Sequence, residues 1–399
     1  MLAPYRRLLR IPGALRFSVA GFIARMPMSM DALALIFIVY HASHSYTLAG
    51  ILAAVGEMVV MIALPFWART ADRIGQRKTL TMVIPARAFF LIIFVLLLTY
   101  HAPTWTWFLS IITVEASVIN AGGLVRRRWG WVLKEDRDLL NTAYSYEGLM
   151  DEFIFIFGPV IATFCATLIA PASALLVGLV FMVAGSIVFA SQKDSEPPPH
   201  PRNEETPHPA VLRNRAIQAV MLPVAFLGAF FSAVGLVVVA FAREHDAVGR
   251  TGVLLAAWAF GSAIAAFVNG SIKWKKNYAH RFWIFFFALI SLSTPFLFVT
   301  NFTFLIIALF LNGLAIAPLM VAAYGVAESV VPQEQVTETL AWVFIALPIG
   351  GAVASSLTGW VIDKYGADAG LIIPLASLTC GLFASLPYFR TWNRLRSAS

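Results

Sequence analysis

Charge is scarce in this chain. Only 13% of its 399 residues are Asp, Glu, Lys or Arg, against roughly a quarter in soluble domains, and that scarcity excludes a water-soluble fold. Cysteine is scarcer still. Cys165 and Cys380 both fall in apolar windows and read as small buried hydrophobes, not as a disulfide framework or a metal site. There is no Walker phosphate loop, so nothing supports direct ATP coupling. The histidines, His41, His44, His101, His200, His208, His245 and His280, lie in loops or at span ends without metal-ligand spacing. No nucleophile and base fall together in a plausible pocket, and no large extramembrane loop exists to face one. No cofactor, no metal and no enzymatic activity are therefore expected; a membrane-embedded enzyme or a non-transporting sensor is the weaker alternative.

What is abundant is apolar side chain, 59% of the residues, with a mean hydropathy of +0.79. A helix needs about 20 apolar residues to cross a hydrocarbon core of roughly 30 Å, and such windows follow one another almost end to end. They run Phe17 to Tyr40, Tyr46 to Trp67, Leu80 to Tyr100, Trp105 to Leu124, Phe153 to Ala170, Ala172 to Ala190, Ile217 to Ala242, Gly252 to Val268, Phe282 to Val299, Phe302 to Ala327, Leu340 to Ile362 and Ala369 to Tyr388. The first is too long for a signal-peptide core and has no small-residue cleavage site behind it, so it is expected to stay as the first span. Between the sixth and seventh windows, Pro197, Pro198, Pro199, Asn203, Glu204 and Glu205 make a polar, helix-hostile linker. The expected fold is an all-α integral membrane protein of twelve transmembrane helices in two six-helix halves, residues 1–192 and 216–399, joined by a linker over 193–215.

The basic residues orient the bundle, because Lys and Arg beside short loops are retained in the cytoplasm. With the N-terminus inside, one side receives Arg6, Arg7, Arg10 and Arg16; Arg69, Arg73, Arg77 and Lys78; Arg126, Arg127, Arg128, Lys134 and Arg137; Lys193, Arg202, Arg213 and Arg215; Lys273, Lys275, Lys276 and Arg281; and Arg390, Arg394 and Arg396. The other side receives Arg243, Arg250 and Lys364. The net charge of +8 is thus dispersed through interhelical loops as topology requires, and does not indicate nucleic-acid binding. The chain is expected as a monomer in a cell (cytoplasmic) membrane, multi-pass, with both termini cytoplasmic.

After the second window the chain reads Ala68, Arg69, Thr70, Ala71, Asp72, Arg73, Ile74, Gly75, Gln76, Arg77, Lys78. This resembles the signature of the major facilitator superfamily between spans two and three, usually written G-x-L-A-D-R-x-G-R-[RK]. Asp72, Arg73, Gly75, Arg77 and Lys78 match; Ala68, Thr70 and Gln76 depart from it. An acid beside several cations at a helix end can lock two helices in one conformation and release them in another, and the alternative is an ordinary basic loop. Leu124 to Trp129 followed by Leu149 to Glu152 resembles the passage into span five in bacterial drug and sugar exporters. Gly158 and Pro159 stand where proton-coupled antiporters carry a G-P-x-x-G-G element, with Ile161 and Ala162 in place of its last two glycines. Glu328 to Glu338, then Gly350, Gly351, Gly359 and Asp363, resembles spans ten to eleven. Span four lacks the in-membrane Arg of the proton-coupled members. The resemblance implies two halves of inverted three-helix repeats, a substrate cavity near the midplane and rocking of one half against the other.

Charge within the membrane is costly, about 2.5 to 3.5 kcal/mol per group at span centre on insertion scales, so the groups that persist there need a reason. Asp31, Glu57, Glu115, Arg25 and Arg87 are such groups, and all lie in the N-terminal half. Three acids and two bases leave at least one acid to take up and release a proton. Asp31 is the first candidate for proton coupling, because the superfamily's exporters often place an acid in span one facing the cavity; Glu115 is second and Glu57 third. The alternative is static pairing, Glu57 with Arg87 among others. Glu147 and Asp151 share a helix face and, with Glu152, are placed at the cytoplasmic interface near a helix N-terminus, where the dipole favours acids. With Arg126, Arg127 and Arg128 nearby they read as a gate or latch, or else as substrate contacts. Pro27, Pro85, Pro159, Pro223, Pro295, Pro318, Pro348 and Pro374 are candidate helix bends. Together these features imply a secondary active transporter, an exporter of a drug-like, sugar or metabolite solute by proton antiport; an importer or a proton-independent facilitator is the alternative.

Overall fold

In hydrocarbon a segment's backbone N–H and C=O groups have only each other as partners, so a long apolar run becomes a helix. The computed structural model describes residues 3–199, 213–272, 274, 276–331 and 336–397, and its regular structure there is helical throughout. Twelve helices are long and apolar enough to cross a membrane: spans one to six are Ala14–Ser43, Tyr46–Ile74, Gln76–Thr99, Thr104–Val132, Leu139–Leu168 and Ser173–Ser191, and spans seven to twelve are Arg215–Glu244, Val248–Gly270, Tyr278–Phe298, Phe302–Ser329, Trp342–Tyr365 and Ala367–Tyr388. Each overlaps the window read for it in the sequence. Large apolar side chains on their outer surfaces, among them Ile62, Phe267 and Val353 at 76%, 79% and 68% exposure, suit contact with lipid, not with water. Several sequence features lie outside the described residues: Arg202, Asn203, Glu204, Glu205, His200 and His208 of the linker, Lys273 and Lys275, and residues 332–335 of the passage before span eleven.

The chain forms two compact units, one of Met1–Ala42 with Val59–Glu204 and the other of Ser43–Met58 with Glu205–Ser399. The first part of span two thus belongs with the second unit. In the first unit span one is the most enclosed helix, and it packs against span six; in the second unit span seven has that role, packed against spans eleven and twelve. The residues of span seven from Leu236 to Ala242 are all 2% exposed or less.

Three features differ from the sequence reading. Cys165 is buried as expected, but Cys380 is exposed. Span five belongs to one helix of 32 residues starting at Arg137, with Asp136 as its N-cap accepting from the Leu139 N–H at 3.0 Å. Glu147 therefore sits in the third turn, beyond the reach of the helix dipole. Span four does not end at Leu124. It is two helices, Thr104–Ala116 and Ala121–Val132, so Arg126, Arg127 and Arg128 lie in a helix and not in a loop.

Prolines do not mark the breaks uniformly. Pro85, Pro159, Pro223 and Pro348, and also Pro65, sit inside uninterrupted helices. Pro27 opens the second segment of span one, and Pro295 lies in a 3-10 turn at the end of span nine. The break in span four contains no proline. It falls over Ser117 to Asn120, where Asn120 caps the second segment by accepting from the Gly123 N–H at 2.9 Å.

Candidate functional site

The break in span four exposes carbonyls that a continuous helix would satisfy. Arg87 of span three donates from Nη1 to the Val114 carbonyl at 2.9 Å, and the Trp67 indole donates to the Ala116 carbonyl at 2.7 Å. The same Arg87, only 5% exposed, holds two acids. Its Nη2 donates to Asp31 Oδ2 of span one at 2.8 Å, and Nη1 and Nη2 lie 3.4 and 3.5 Å from the Glu115 carboxylate. One guanidinium, which stays protonated in proteins, thus faces two carboxylates. The second oxygen of Asp31, Oδ1, is buried with no hydrogen-bond partner and lies against Gly178 of span six. Spans one, three and four meet at this triad beside the break in span four.

Arg25 does not join that group. It is 3% exposed and reaches span five, donating from Nη2 to Glu147 Oε2 at 2.5 Å and from Nη1 to Asp151 Oδ1 at 2.8 Å. Asp151 also accepts from Arg126 at 2.6 Å. Glu147, with no exposed surface, accepts from Ser18 Oγ at 2.8 Å and the Trp129 indole at 2.7 Å, and Phe17 packs edge-on to Trp129. With Arg126 counted, two cations face two carboxylates and their hydrogen bonds are made, so this network ties spans one, four and five together. Glu152 takes no ion-pair partner among the described residues. Nearby, Ser29 of span one donates to the Ile154 carbonyl at 2.7 Å, a contact that the bare backbone of Gly158 makes room for; Pro159 follows within the same helix.

The signature after span two forms a tight turn. Gly75 has φ of +95°, a conformation that a side chain would strain, and the Arg77 N–H donates to Glu196 at 2.9 Å. Asp72 is paired with Arg127. Gln76, where the family signature carries Arg, is 1% exposed. Its carbonyl oxygen accepts from Arg128 Nε at 2.9 Å and its amide donates to the Leu124 carbonyl at 3.1 Å. Arg128, fully buried, also donates to the Phe189 and Gln192 carbonyls at 2.9 and 3.1 Å and lies over the Phe189 ring. A second cation at position 76 would face Arg128; the glutamine oxygen accepts from it. Arg73 and Lys78 are exposed on the same turn.

The second unit has a different chemistry. Trp258 donates to Asn312 Oδ1 at 2.9 Å, and Asn312 donates to Ser293 Oγ at 2.9 Å, linking spans eight, ten and nine by neutral groups beside Phe230 and Phe231. Sequence reasoning passed over this network; the signal was a fully polar Asn312 in an otherwise apolar run. Glu57, the third acid, lies with this unit, while Arg87 takes Asp31 and Glu115 as its partners.

Residues 221–396 match the family model described as Major Facilitator Superfamily, whose members are transporters and not enzymes. No curated protein sequence matches the chain. Its fold is similar to that of the nucleoside transporter NupG, with a TM-score of 0.74 at 10% identity over 94% of this chain and 98% of that one. It is similar as well to a bacterial homologue of the human lysosomal transporter Spinster in an inward-facing, occupied conformation, with a TM-score of 0.71 at 14% identity over 98% of each chain. A POT family transporter in complex with a thioalcohol-conjugated peptide gives 0.70 at 12% identity over 94% of this chain and 96% of that one. The chain thus has twelve candidate spans and shares its fold along nearly the whole length with these transporters, and residues 221–396, a little under half of it, are similar in sequence to the Major Facilitator Superfamily.

Proposed function

We propose that this protein moves a small solute by alternating access, coupled to protons, as an exporter in a cell membrane with both termini in the cytoplasm. The observation that carries the coupling is the Asp31, Arg87, Glu115 triad: two acids share one permanent cation. One acid can take a proton while the other keeps its ion pair. Asp31 is the better carrier, since its free oxygen Oδ1 is buried without a partner and is open to a proton or to a polar group of the solute. The Asp72 turn and the Arg25 network act as the gate and latch at the cytoplasmic end, Arg25 holding Glu147 and Asp151.

A second reading is an importer or a proton-independent facilitator. It is favoured by the way Arg87 reaches both carboxylates at once, which would let the triad serve as a static brace. The test is transport by the purified protein in sealed vesicles against a panel beginning with nucleosides and peptides, the solutes in the names of the similar structures, and extending to sugars and cationic drugs. Proton-coupled export gives accumulation driven by an imposed pH gradient and abolished by a protonophore. Equilibration at the same rate with and without the gradient selects the facilitator.

A further inference from the structure

Span two carries an acid that the triad does not use. Glu57 turns its Oε2 into the protein, where that atom is buried and makes no hydrogen bond. It points at Gly351 of span eleven, where a β-carbon would stand 2.6 Å from Oε2. From there to the start of span two, the two helices lie backbone to backbone. Ser355 Oγ donates to the Gly50 carbonyl at 2.9 Å, and a β-carbon on Gly50 or Gly359 would run into the facing Ser355 or Tyr46 carbonyl. Asp363 closes the end of the seam. It accepts from Ser45 Oγ at 2.7 Å and from the Tyr46 and Thr47 N–H groups at 2.7 and 2.8 Å, capping a helix that begins 317 residues earlier.

Among the described residues Glu57 takes part in no ion pair. The ionisable groups of span eleven, Asp363, Lys364 and Tyr365, begin twelve residues beyond Gly351, about 18 Å along a helix. On span two the only other titratable groups of this unit are Tyr46, buried in the seam, and His44 just before the helix. A carboxylate at Glu57 would therefore hold one oxygen, Oε2, buried in the seam with no ion-pair partner among the described residues, which costs free energy that the neutral acid does not incur. Glu57 also stands one residue before Met58, where the chain passes from the second unit to the first.

We propose that Glu57 is a proton-binding switch: protonated, it lets residues 46–57 of span two lie against span eleven, and on losing its proton it releases the seam. The inference rests on the alternating-access reading above, in which packed spans part and re-form. The closed seam holds the proton, so closure is favoured as pH falls and lost as pH rises.

The test is a distance measurement between spin labels on Ile51→Cys and Leu357→Cys, both on exposed positions, in a full-length protein with Cys165→Ala and Cys380→Ala, in lipid nanodiscs without solute. The expected result is one short distance at about pH 5 and a longer population that grows by up to about tenfold per pH unit, the limit for one linked proton. Glu57→Gln keeps the short distance at every pH. Gly351→Ala, whose methyl takes the space of Oε2, shows the longer distance already at about pH 5. A wild-type distance that ignores pH, or either variant following the wild-type curve, overturns the proposal; should Glu57→Gln fail to fold, the Gly351→Ala curve decides. No solute is present, so failure here leaves the transport reading standing, and absent solute transport with a pH-driven seam overturns only that reading.

Discussion

Arg25→Met will cost the protein most of its stability, about 3–5 kcal/mol, the penalty for leaving a buried ion unpaired. The cation it removes is 3% exposed and is bound to Glu147, which has no exposed surface, and to Asp151. Asp151 keeps Arg126 as a partner. Glu147 keeps only the Ser18 hydroxyl and the Trp129 indole, two neutral donors against a full negative charge. Unfolding of the detergent-solubilised protein followed by circular dichroism measures the loss. Because the damage is the orphaned carboxylate and not the missing side chain, Glu147→Gln in the same chain recovers more than half of it. No recovery in the double variant would mean that Arg25 acts through packing alone.

Arg87→Met is expected to have an effect of similar size, again about 3–5 kcal/mol, by a different route. It leaves Asp31 and Glu115 facing each other across spans one and four without a cation, and it strips the Val114 carbonyl of its donor at the break in span four. Arg87→Lys recovers only part, since a single ammonium cannot reach the carbonyl and both carboxylates with the fixed fork that a guanidinium supplies. Adding Asp31→Asn to Arg87→Met removes one of the two unpaired charges and raises stability above that of Arg87→Met alone. Equal stability of the single and double variants would show that Asp31 is not held by Arg87.

The fold was legible almost throughout, because hydropathy over about 20 residues measures the same quantity that the bilayer selects. Span five shows where that measure stops. Glu147, Asp151 and Glu152 lower the local hydropathy, so the apolar window opens only at Phe153, yet Ala143, Glu147 and Ile154 are buried turns of one continuous helix. Their spacing of four and seven residues was the available signal. The members of the triad were found by depth alone, since charge at span centre is improbable without purpose. Their partners were not. Depth cannot say that Arg25 turns to span five and Arg87 to span four, because lateral neighbours follow from helix packing that no single span encodes. Two features had weaker traces still: the proline-free break at Ser117 to Asn120, announced only by Asn120 and the glycines after it, and the capping of span two by Asp363.

If the triad couples solute to protons through Asp31, a single comparison isolates it. Vesicles bearing Asp31→Asn are assayed for exchange of labelled against unlabelled solute with no gradient, and for accumulation driven by a pH gradient. Asn keeps the shape and can still accept from Arg87, so exchange should persist while gradient-driven accumulation falls to the level of empty vesicles. Accumulation in the variant equal to that of the unchanged protein would contradict the account.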